Sequence, residues 1–190
     1  MDSTYKGVQF IKLVKVFCYL VVVVTLLVGC FHDQTFEQFF HEEMESHGDR
    51  DERPYSLVYH EINVVHENDA VAIFEETNQN GEQIFIAYFE KDNGSWEWRQ
   101  TRGAEWGLPV NWSHMEESPH IYSGATLDET IKEIYAGDEQ ADIIELQDEK
   151  RFWFAISSQE EVDVKFVMND GTEKYIERID YEYIESDYDS

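Results

Sequence analysis

The spacing of apolar residues changes twice along the chain. Val16 to Gly29 runs for 14 residues without a charge, too short for a membrane-spanning helix, which needs about 20. From Thr35 the period is helical: Phe36, Phe39, Phe40 and Met44 recur on one face, Thr35 with Gln38 forms a capping box, and Gly48 is a stop, so a short amphipathic helix is predicted. Past Tyr55 the period becomes two. It predicts strands at 57–66, 70–77, 82–91 and 95–101, set apart by turn signals at Asn68-Asp69, Asn80-Gly81 and Asn93-Gly94. In the third of these, Ile84, Ile86 and Tyr88 share one face and Phe85, Ala87 and Phe89 the other, which predicts a central strand buried on both sides.

Residues 102–126 have no period and hold Gly103, Gly107, Pro109, Pro119 and Gly124 among Trp106, Trp112 and Tyr122. They read as a long aromatic-rich connection. Further strands are predicted at 130–135, 140–147, 151–157, 162–168 and 173–179, with a hairpin turn at Asp170-Gly171. The expected fold is mainly β, an antiparallel two-sheet sandwich-like domain with a short N-terminal helix.

The uncharged run makes most sense with its flanks. Lys6, Lys12 and Lys15 precede it with one acid, Asp2, and it ends in Leu27, Val28, Gly29 and Cys30. That ending resembles the lipobox of bacterial lipoprotein precursors, in which the thiol is alkylated by a diacylglycerol donor and the chain is cut before the cysteine. The resemblance implies a signal peptide over 1–29, a lipid on Cys30, and a protein held on the outer face of the cytoplasmic membrane. A permanent span from Val8 to Phe31 would bury Lys12 and Lys15, at about 2.5–3.5 kcal/mol each near mid-depth. Two acyl chains suffice for stable anchoring. The mature chain then divides into a lipid-anchored helix and linker over 30–54, a β-rich domain over 55–180 and an acidic tail over 181–190.

Charge narrows the partners. The chain carries 41 Asp and Glu against 14 Lys and Arg, a formal net charge of −27, and losing 1–29 removes three lysines and one acid, leaving −29. Such a surface repels nucleic acid and anionic lipid and attracts cations and basic partners. Both cysteines, Cys18 and Cys30, lie in the first 30 residues, so the domain is expected to fold without a disulfide, and no metal or other cofactor is expected.

Several constellations invite a chemical reading. His41, Glu42 and His47 miss the i, i+4 spacing that would aim both imidazoles at one zinc. His60 and His66, six apart in a strand, would stand about 20 Å from each other. His114 and His120 flank Glu116 and Glu117, where folding can gather them. The acids Asp138, Glu139, Asp142 and Glu145 lack the glycine and spacing of a calcium loop. Trp96 and Trp98 alternate on a strand and belong on one core-facing surface. Trp106 and Trp112 are the candidates for stacking on a sugar ring or a partner's apolar knob. The candidate binding residues are therefore Trp106, Trp112, His114 and His120.

The blocks Val71 to Glu75, Ile86 to Lys91, Asn93 to Trp98, Phe152 to Phe154 and Asn169 to Gly171 resemble a group of small exported or lipid-anchored proteins of Gram-positive spore-forming bacteria, mostly without assigned function. The resemblance covers roughly 57–178 and implies fold and location; it carries no catalytic residue. The function expected is a non-catalytic lipoprotein that binds a protein or envelope component. The alternatives are an extracytoplasmic hydrolase with its site in 102–126, and a sensor or inhibitor module for a membrane partner.

Overall fold

A computed structural model describes residues 34–47, 54–78, 81–104, 106 and 112–176. The expected signal segment with Cys30, the expected Gly48 stop and the expected tail from 181 lie outside the described residues. The chain divides into two units, Met1–Phe39 and Phe40–Ser190. In the first, the helix α1 (Phe36–His47) begins, and its capping box forms as expected. The Gln38 amide donates to Thr35 Oγ1 at 3.2 Å and the Thr35 amide donates to Gln38 Oε1 at 3.1 Å, satisfying amides that the first turn leaves without a helical partner.

Among the described residues, the second unit holds the end of α1 and three antiparallel sheets of four strands. β1 (Tyr55–Ile62), β2 (Asp69–Asn78), β3 (Gly81–Asp92) and β4 (Ser95–Ala104) form a meander in that order. β3 is paired on both sides, as its two apolar faces predict. Asn93 and Gly94, at φ 49° and 89°, make the left-handed turn that a two-residue hairpin needs.

The remaining strands come as four hairpins placed alternately in two sheets. β5 (Ser113–His114) with β6 (His120–Thr126), and β9 (Asp142–Glu145) with β10 (Arg151–Ser157), form the second sheet, in the order β5-β6-β10-β9. β7 (Ile131–Ala136) with β8 (Glu139–Gln140), and β11 (Val164–Met168) with β12 (Glu173–Ile176), form the third, in the order β12-β11-β7-β8.

The second sheet is the middle layer. On one face Ile121, Ala125, Phe152 and Phe154 meet Val71, Ile73, Ile84, Ile86 and Tyr88 of the first sheet. On the other, Tyr122, Trp153 and Ala155 meet Ile131, Ile134, Val164 and Phe166 of the third. On the outer face of the first sheet, Phe40 of α1 is fully buried, edge-on to Phe74 at 5.4 Å and Phe89 at 6.2 Å and stacked with Trp98 at 6.1 Å.

The mainly β, antiparallel, sandwich-like architecture stands, with three sheets present where two were expected. The strand expected at 57–66 stops at Ile62, because Asn63 turns to φ 60° and the next amides bond the Asp69 carboxylate. His60 and His66 therefore do not share a strand. The run 140–147 is two strands in different sheets, with buried Ala141 between them. The segment 102–126 is not one long loop. It contains the end of β4, β5 and β6, and β6 is buried at each position from Ile121 to Thr126, so it shows no alternation to detect. The strand placed at 162–168 begins at Val164.

Candidate functional site

The apolar stripe on the inner face of the first sheet gives way to charge at both ends. Along β2, Val71 and Ile73 are followed on the same face by Glu75, and along β3 Ile86 and Ile84 are followed by Glu82. Glu75 pairs across the ladder with Ile84, and Thr77 with Glu82, so the two carboxylates are diagonal neighbours. They stand at a cleft of about 670 Å³ whose other walls include Leu57 and Val58 of β1, Leu146 and Lys150.

Lys150 reaches the cleft from a tight turn between β9 and β10. The Leu146 amide donates to the Lys150 carbonyl at 2.8 Å and the Lys150 amide to the Gln147 carbonyl at 3.3 Å. Asp148 and Glu149 between them take φ 57° and 62°, a left-handed pair without a glycine, disfavoured by about 1–2 kcal/mol per residue. The turn delivers the ammonium to the Glu82 carboxylate and over the Trp106 ring, 5.1 Å from its centroid. Trp106 packs on the core between the first and second sheets, and its Nε1–H meets no acceptor among the described residues.

The two carboxylates are driven apart electrostatically. The hydrogen bond from Lys150 holds Glu82 below the usual glutamate range. Burial, and then the charge of Glu82, push Glu75 up. One carboxylate is thus kept ionised while its neighbour is inclined to hold a proton. A carboxyl with a raised folded pKa destabilises the fold at neutral pH, and the penalty fades as pH falls through that pKa towards 4.5, the ordinary value. Glu75→Gln removes it. The variant should be more stable than the parent at pH 7 by under about 1 kcal/mol, since the group is partly exposed, and converge with it on acidification. Urea unfolding across that range measures this, and a parent more stable than the variant at pH 7 would refute the repulsive pair.

At the other end of the same face lies Asp69, fully buried. Its carboxylate accepts from the amides of Val64 (2.7 Å), Val65 (3.1 Å) and His66 (2.9 Å) and from the Tyr88 hydroxyl (3.2 Å), and contacts His66 Nδ1 at 2.6 Å. Burial, then the charges of Asp69 and Glu90, keep the Tyr88 phenol protonated. The His66 ring is more than half exposed, and its Nε2 lies 3.8 Å from Glu90, which also pairs with Arg99 at 2.9 Å. With the acceptor oxygens of Asp69 taken up by donors of the chain itself, this centre shapes the 63–68 turn.

The residues singled out in the sequence are dispersed. Cys30 lies outside the described residues. Trp112 is a core residue, 8% exposed, whose Nε1–H donates to the Ile176 carbonyl at 2.8 Å. His114 is buried and stacked on Tyr122 at 5.2 Å. Folding does bring His114 and His120 together, with ring centroids 6.4 Å apart, but Glu116 turns to Arg102 at 3.6 Å. Among the described residues no three metal-binding side chains are grouped. His41 Nδ1 contacts the Tyr55 hydroxyl at 3.0 Å. Trp96 and Trp98 share the outer face of the first sheet, Trp96 beneath Lys91 and Trp98 against Phe89. Of the residues singled out, Glu145 lines the cleft, and Trp106 stands against the Lys150 ammonium beside it. Glu75, Glu82 and Lys150 were not singled out; the available signal is two glutamates continuing the core-facing register of β2 and β3. No known protein family, curated protein or solved structure matches the chain.

Proposed function

We propose that this chain is a lipid-anchored extracytoplasmic protein, tethered through Cys30 to the outer face of the cytoplasmic membrane. Its acidic β-rich part serves as a non-catalytic binding module for a protein or envelope component. The observation that carries the address is the charge-free run from Val16 ending in Leu27, Val28, Gly29 and Cys30 behind three lysines. Membership of the group of small exported or lipid-anchored proteins of Gram-positive spore formers is part of the same proposal. Among the described residues no helix is long and apolar enough to cross a membrane.

Binding is favoured over hydrolysis by where the polar groups lie. In the stretch 102–126 Trp112 and His114 are spent on the core, whereas the cleft lined by Lys150 offers carboxylates and apolar walls, with the Trp106 ring against the Lys150 ammonium, the mixture typical of ligand sites. Expression of the full chain in a Gram-positive host tests the anchor. The parent should partition into detergent with the mass of a diacylated chain beginning at Cys30, and Cys30→Ser should leave the precursor uncut and unlipidated. If Cys30→Ser matures to the parent's mass, the lipoprotein reading fails.

A further inference from the structure

The cleft already holds the kind of group it is built to take. Lys150 places an ammonium against a carboxylate and over an indole face, the two environments that hold a cation most firmly short of full burial. More acid surrounds this cation than it can neutralise: Glu75 and Asp148 line the same cleft as Glu82, whereas Glu145, also in the lining, is paired with Arg151 at 3.0 Å. Burial, and then the charge of Glu82, push the Glu75 carboxyl up. Anionic ligands are repelled here, and a neutral one gives the remaining carboxylates no partner. The walls also suit a long cationic side chain, because Leu57, Val58 and Leu146 offer apolar surface to a methylene stem while the acids meet its head.

We propose, resting on the reading of this cleft as a binding site, that it captures an exposed lysine side chain of a basic protein partner. Lys150 is the internal occupant that the incoming ammonium displaces from Glu82 and Trp106. The turn supports displacement: Asp148 and Glu149 are held left-handed where Lys150 reaches in, and releasing the lysine lets them relax. A net charge of −27 attracts basic partners to the chain.

The test uses the full chain in detergent micelles at about 0.15 M salt, where long-range attraction is screened. It is titrated with a blocked lysine–glycine pentapeptide and with the same peptide acetylated on each lysine Nε. Calorimetry gives affinity, and the Trp106 indole resonance gives location. The lysine peptide should bind saturably and move that resonance, with the acetylated peptide at least about tenfold weaker. Lys150→Met should tighten binding about tenfold by vacating the site. Lys150→Arg, which keeps a cation in place, should stay near the parent. Glu82→Gln and Trp106→Leu should each weaken binding about tenfold. Melting curves for each variant separate lost binding from lost fold. The proposal is overturned if acetylation has no effect, if Lys150→Met weakens or leaves binding unchanged, or if peptide binds without moving Trp106. Absence of binding by a correctly lipidated parent defeats the lysine proposal alone, and normal binding by a chain that is never lipidated defeats the anchor alone.

Discussion

Asp69→Ala should lower the melting temperature by about 10 °C. The carboxylate is fully buried and collects the Val64, Val65 and His66 amides and the Tyr88 hydroxyl. Hydrogen bonds to an ionised group contribute roughly 1.5–3 kcal/mol each, and buried donors left without acceptors cost more than the bond was worth. Loss of the carboxylate strands those donors together, so a total of at least about 3 kcal/mol is expected even if water reaches the exposed part of the turn. For a domain of this size each kcal/mol moves the midpoint by about 2–4 °C. Asp69→Asn is the sharper control, because it keeps the shape but turns an amide nitrogen towards donors. A shift below about 3 °C for the alanine variant would show that the 63–68 turn holds without its central acceptor.

A comparable loss is expected from Phe40→Ala, at about 3–5 kcal/mol. The ring is fully buried, with Phe74, Phe89 and Trp98 around it and Tyr55 at 6.1 Å. Truncation leaves a void bounded by rigid rings fixed on β2, β3 and β4, which have little freedom to collapse into it. A chain beginning at residue 55 lacks the same ring, so it should melt about as far below a chain beginning at residue 34 as the point variant does below its parent. Scanning calorimetry of the three chains checks both effects. Equal midpoints for the chains starting at 34 and 55 would show that Phe40 contributes nothing to the sheet it packs on.

Much of the first sheet was legible because its turns are written in residues that tolerate left-handed backbone and its central strand carries two apolar faces. Asn93-Gly94 and the apolar run from Ile84 to Phe89 place β3 and β4 directly. The other sheets were harder for the converse reason. β6 is buried on both faces, so no alternation marks it, and β8 and β9 share one alternating run although they pair with different partners. Pairing is a matter of tertiary contact, which a period of two does not encode.

The cleft was illegible for another reason. Glu75 and Glu82 are two of 41 acids, and nothing local distinguishes them from glutamates on a solvated face. Their meaning depends on Lys150, some 70 residues away in sequence and brought across by a turn of Asp and Glu that follows no left-handed preference. The four binding candidates stand out by residue type in a stretch without a period, yet that stretch contains β5 and β6, and Trp112 and His114 are buried in the core there.

The middle sheet has no face left over for water. If the third sheet opened alone, Trp153 and Tyr122 would be bared; if the first opened alone, Phe152, Phe154 and Ile121 would be. Chain order adds to this, since the hairpins of the second and third sheets alternate in sequence and no cut divides them into two self-sufficient pieces. Partial opening is therefore expensive wherever it starts, and the stack behaves as one cooperative unit whose slowest-exchanging amides lie in β6 and β10.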